Sequence, residues 1–131
     1  MAKLTSEMKD ILGQQLAVVA TASKEGTPNV GPKGSLFVVD DETLAYSEAT
    51  EGKTLRNIQQ NPKVAVMVVD RDKADGYQIK GRVELISSGS LFEKVAKRQE
   101  ERKRSTPKYV VKIAVEEIYS VKGAMKGKRI A

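Results

Sequence analysis

The sequence predicts a mainly β protein with added helices: a small six-stranded antiparallel barrel that carries its helices on the periphery. Three observations point this way. Val and Ile gather in short runs bounded by Gly, Pro, Asn and Asp, which is the pattern of strands. Connections between the runs are mostly short, as antiparallel neighbours allow, and one terminal and two inserted segments have helical spacing. A doubly wound parallel sheet would need more crossover helices, whereas closing the strands on themselves would remove exposed edges. A length of 131 residues predicts one domain, 1–131, with a real core and no linker.

Thr5 or Ser6 can cap a first helix, with Glu7 in its first turn, Met8, Ile11 and Leu12 as its apolar stripe, and Gly13 as its expected stop. Residues 16–21 read as a strand, and Lys24-Glu25-Gly26-Thr27 as the turn into its hairpin partner. That second strand runs through 29–39 but is interrupted by Gly31, Pro32 and Gly34, so Pro32 belongs at an edge or a bulge. Asp40-Asp41-Glu42 is a hairpin turn leading to the strand Leu44-Ala45-Tyr46-Ser47. A short helix over 55–61, opened by Glu51-Gly52-Lys53-Thr54, stops at Pro62, and a Val-rich strand follows over 64–70. After a charged loop, 77–86 alternates as a half-buried strand. Ser90 caps a helix bearing Leu91, Phe92, Val95 and Ala96, which Pro107 ends; 109–115 and 118–121 complete the sheet, with a bulge or bend at Glu116-Glu117.

Composition excludes a good deal. With no Cys and no His, the chain lacks thiol nucleophiles, the usual zinc ligand sets, imidazole acid–base chemistry and histidine-ligated haem. Any redox chemistry must come from an organic cofactor, and a proton would come from water, Tyr46, Glu48 or Glu51. No tight carboxylate cluster marks a magnesium site. The 23 Lys and Arg against 17 Asp and Glu give a net charge of +6. The cations concentrate in Lys94, Lys97, Arg98, Arg102, Lys103 and Arg104, and again in Lys126, Lys128 and Arg129. A small basic nucleic-acid-binding barrel is therefore a rival reading, although no aromatic platform is interleaved for base stacking. Glu93, Glu100 and Glu101 stand at spacings that suit intrahelical pairing, which makes the first cluster a solvated helix face and the second a basic tail. No secretory-leader pattern and no run of membrane-spanning length is present, so a cytoplasmic location without membrane attachment is the expectation.

The start of the short helix is the place to look for a phosphate. Unpaired amides and the positive end of the helix dipole favour an anion there, and Lys53 and Thr54 add a charge and a hydroxyl. A helix start that merely carries a lysine is the plain alternative. The pattern argues against a nucleotide-triphosphate loop, because the glycine required five positions before Gly52-Lys53 is replaced by Ser47. In extended geometry Lys33 and Ser35 would share one side about 7 Å apart, a second cation and hydroxyl beside permissive glycines.

In order and spacing, Pro32-Lys33-Gly34-Ser35-Leu36, Leu44-Ala45-Tyr46-Ser47, Gly52-Lys53-Thr54-Leu55-Arg56-Asn57, Asn61-Pro62-Lys63-Val64-Ala65-Val66 and Ile79-Lys80-Gly81-Arg82-Val83-Glu84 resemble the FMN-binding split-barrel family, relatives of pyridoxamine 5′-phosphate oxidase. The resemblance covers about 12–122. It implies a dimeric split β-barrel holding FMN at the subunit interface of a homodimer. Lys33 and Ser35 would match one group of phosphate contacts and Lys53 and Thr54 the other, while Ser47, Ala49 and Thr50 would lie along the flavin ring. The true oxidases are longer and end in an arginine-bearing substrate segment that 125–131 does not match. An FMN-dependent oxidoreductase of unknown substrate is the resulting expectation, served by a nicotinamide or protein electron partner. A non-enzymatic flavin carrier is the nearest alternative, and haem or a deazaflavin is a possible replacement for FMN in related barrels.

Overall fold

The computed structural model describes residues 2–131. Its elements in order are α1 (Ser6–Gln14), β1 (Ala17–Ala22), β2 (Pro28–Pro32), β3 (Phe37–Asp40), β4 (Thr43–Glu48), α2 (Lys53–Gln60), β5 (Lys63–Asp70), β6 (Asp75–Ile86), α3 (Ser90–Glu101), β7 (Tyr109–Ser120) and a 3-10 turn, Gly123–Met125. The strands form one antiparallel sheet in the order β2-β1-β5-β6-β7-β4-β3.

Seven strands stand where six were expected, because the broken second strand is two. Pro32 has no amide to donate, and the following residues turn instead of extending: the Leu36 N–H donates to the Lys33 carbonyl at 3.1 Å. β2 and β3 consequently lie at opposite edges of the sheet, joined by four residues and sharing no ladder. The sheet curls into a split barrel, and the full closure that would have hidden both edges does not occur.

Inward-facing Val19, Leu44, Tyr46, Val66, Ile79, Val111, Ile113, Val115 and Ile118 are all 0% exposed and form the barrel core. Met8, Ile11 and Leu12 of α1, with Leu55 and Ile58 of α2, join this core, while α3 packs Val95 against Ala45 and Val110 on the sheet's outer face. The Thr5 hydroxyl caps α1 by accepting from the Met8 N–H at 3.3 Å. Gly13 lies inside that helix rather than stopping it, since its last backbone bond runs from Gln15 to Ile11. Gly89, at φ 100°, precedes Ser90 and takes the cap position expected of it. α3 ends at Glu101, well before Pro107, because Lys103 adopts a left-handed φ of 57° and the Arg104 N–H folds back to the Gln99 carbonyl. The expected bulge is present: Lys80 pairs with Glu117 and Gly81 with Val115, leaving Glu116 as the extra residue in one continuous β7.

One outer face stays open. Val18 lies opposite Pro32 and Met67, and Ala20 opposite Val30 and Ala65, so β2, β1 and β5 present apolar side chains together. Val30 is 66% exposed, and Leu16, just before β1, and Val69, near the end of β5, are also exposed.

Candidate functional site

An open cleft of about 440 Å³ is bounded by the 32–35 connection, the end of β4 with the residues after it, and the end of α3. Of the residues singled out in the sequence, Lys33, Ser35, Ser47, Ala49 and Thr50 line it together. Lys53 and Thr54 do not line it; they form the first turn of α2.

Within the cleft, much of the polarity is already engaged. The Lys33 ammonium lies 3.5 Å from a Glu48 carboxylate oxygen and 5.2 Å from the centre of the Tyr46 ring. Glu48 is buried, and its other oxygen accepts from the Thr50 N–H at 3.2 Å and the Thr50 hydroxyl at 3.1 Å. This buried acid thus fixes both Lys33 and the turn after β4. Ser35 is likewise committed, its hydroxyl accepting from the Ser47 N–H at 2.9 Å and stitching the 33–36 connection to β4. The side chain of Ser47 has no such role: its Oγ is buried without a partner.

Tyr46 also carries a buried hydroxyl without a partner. Burial, reinforced by the Glu48 charge, pushes its phenol well above the ordinary tyrosine range, so it is a poor proton source at neutral pH. Tyr46→Phe is expected to change stability by less than about 1 kcal/mol, because no hydrogen bond is lost. The unfolded chain ionises its tyrosines from about pH 10 while folded Tyr46 stays neutral, so stability present below that pH falls as pH rises. Tyr46→Phe should flatten the fall in Tm between about pH 9 and 11, read by circular dichroism.

The α2 start is differently built. Gly52 offers no side chain to cap it, so the first-turn amides are left without a side-chain acceptor. Lys53 is exposed and makes no ion pair within 4 Å among the described residues. Glu51, whose charge would oppose an anion, is matched by Lys108 at 3.0 Å. The Thr54 hydroxyl points back to the sheet, accepting from the Asn29 side-chain amide at 3.2 Å and lying 3.8 Å from where a Cβ on Gly31 would sit. The Asn57 amide donates to the Thr21 hydroxyl at 3.0 Å, a second tie. Asn29 and Gly31 occupy one side of β2, and Lys33 follows at its end; β2 therefore connects the helix start to the cleft. Sequence reasoning missed Asn29, Asn57 and Glu48 as organisers. The i, i+2 series Asn29, Gly31, Lys33 was the available signal for the first.

The uncapped helix start and the polar cleft thus stand on one split barrel, linked through β2. The family is shown directly: residues 4–122 match the pyridoxamine 5′-phosphate oxidase model, and the chain belongs to that family. It is similar to the uncharacterized protein MJ0282 of Methanocaldococcus jannaschii, 37% identical over 98% of this chain and 89% of that one. The crystal structure of HupZ from Group A Streptococcus superposes with a TM-score of 0.88 at 39% identity, covering 95% of this chain and 98% of that one. A putative pyridoxamine 5′-phosphate oxidase from Lactobacillus delbrueckii gives 0.78 at 31% identity, over 89% and 93% of the two chains. At 18% identity, an FMN-binding protein from Syntrophomonas wolfei (TM-score 0.77, over 88% and 84%) and the heme storage protein HutZ from Vibrio cholerae (0.69, over 89% and 94%) share the fold alone.

Proposed function

We propose that this chain is an FMN-binding flavoprotein of the oxidoreductase class that acts as a homodimer. The observation that carries the reading is the uncapped start of α2, with an uncompensated Lys53, tied through β2 to a cleft lined by Ser47, Ala49 and Thr50. The phosphate would rest on the first-turn amides and Lys53. Thr54 would hold that turn in place from behind, and the main chain of 47–50 would border the ring. Bound flavin would supply hydride or electron transfer. Lys33 and Glu48, being mutually paired, orient the cleft wall instead of delivering charge. The lack of histidine favours flavin over an imidazole-ligated haem.

The test is the visible spectrum of purified protein, followed by equilibrium dialysis against FMN. A flavin spectrum and saturable uptake are expected; colourless protein that leaves added FMN free defeats the reading, and a haem spectrum replaces it. Mixing the loaded protein with NADH or NADPH then separates a reductase, whose flavin bleaches, from a carrier.

A second copy would dock on the apolar outer face of β2, β1 and β5, since neighbouring exposed apolar side chains such as Val30, Leu16 and Val69 favour association there. Val30→Glu, at the most exposed apolar position there, is expected to convert dimer to monomer in sedimentation velocity while leaving circular dichroism unchanged. A monomeric wild type would overturn the assignment.

A further inference from the structure

A second cleft, of about 370 Å³, lies on the other side of the Lys33–Gly34 ridge, between the end of α1, the start of β3 and α3. The flavin reading makes no use of it. Its floor is apolar, with Leu12, Leu36 and Phe37, and its charged lining is entirely cationic: Lys9, Lys33, Arg98 and Arg102. Lys9 and Lys33 have carboxylate partners in Asp41 and Glu48, neither of which lines this cleft. Arg98 and Arg102 have none within 4 Å among the described residues, and the intrahelical pairing suggested by Glu93, Glu100 and Glu101 is not formed. Lys103 and Arg104, on the cleft across the ridge, are equally unpaired.

The dipole of α3 favours cations at this end. It does not account for their aim. The Arg98 guanidinium lies over Phe37, 4.3 Å from the ring centre, and with no carboxylate partner it keeps N–H groups for a forked contact. Arg102, the residue that caps α3, follows one turn later and lines the same cleft. Two adjacent guanidiniums over an apolar floor, with two more cations just beyond, exceed what a single carboxylate would neutralise. They suit the charge of a diphosphate. The volume is that of a small-ligand site and takes a mononucleotide-sized body.

We propose that this cleft binds a nucleoside diphosphate unit, with its phosphates on Arg98 and Arg102 and its base and sugar on Leu12, Leu36 and Phe37. Binding requires no flavin. The functional role rests on the flavoprotein reading, for which a nicotinamide dinucleotide donor carries such a unit.

ADP titrated calorimetrically into the purified protein is expected to bind, with inorganic pyrophosphate competing and adenosine at least about tenfold weaker. The double variant Arg98→Ser, Arg102→Ser should lose at least about tenfold in ADP affinity. Arg102→Ser alone, which keeps Arg98 on Phe37, should lose at least about threefold. Lys126→Ser with Lys128→Ser, removing equal charge from the tail, should bind ADP as wild type does. The proposal is overturned by absence of ADP binding, by an equal loss in the tail variant, or by a short single-stranded RNA binding more than about a hundredfold tighter than ADP. Because FMN uptake is measured separately, colourless protein that binds ADP defeats only the flavin reading. Yellow protein that ignores ADP defeats only this one.

Discussion

Lys53→Ala is expected to weaken FMN binding by about ten- to a hundredfold, the worth of one charge-assisted contact to a phosphate. The uncapped amides of α2 remain in the variant, so binding should be reduced and not abolished. Added salt should weaken wild type more than the variant, since the exposed lysine contributes a screened interaction. Thr54→Val should also weaken binding, by a different route. The hydroxyl it removes is the acceptor for Asn29, so the helix start loses its tie to β2. Fluorescence quenching of free FMN on binding measures both. An affinity for Lys53→Ala within about twofold of wild type would remove the phosphate from this helix.

Gly81→Ala is expected to be strongly damaging to the sheet, costing about 3 kcal/mol or more. A Cβ there would stand 2.4 Å from the Ala114 carbonyl oxygen and 2.8 Å from the Ile113 side chain. The oxygen belongs to the β7 backbone beside the Glu116 bulge and can retreat only by breaking the ladder between β6 and β7. Gly34→Ala is the control, because nothing lies within 4 Å of a Cβ at that position. Urea denaturation should show a large fall in midpoint for the first and little change for the second, provided the slope is preserved.

The class of the fold was legible because strands with one buried face write it into their alternation, and the acidic pair Glu116-Glu117 inside a Val-rich run announced the bulge. The strand count was not. Pro32 and Gly34 signalled an interruption, but whether a chain resumes its own strand or crosses to the far edge of the sheet is settled by long-range pairing that no local window contains. The same limit applies to the site. The Gly52-Lys53-Thr54 helix start could be read from three residues. The roles of Glu48, Asn29 and the end of α3 depend on side chains from separate layers meeting, and Arg98, one more surface cation in the sequence, sits over Phe37 in the structure. The sequence marks Ser35 for its hydroxyl and Thr50 for its place along the flavin ring; the structure ties both hydroxyls to the chain itself.

The tether at 33–36 is the party wall of this barrel. Its first and last staves are linked covalently but share no rungs. Both cavities open beside that seam, and Lys33 and Gly34 line the two of them. What divides one chamber from the other is therefore a single short loop, pinned by Ser35 to the Ser47 N–H and by Lys33 to Glu48 instead of by a ladder.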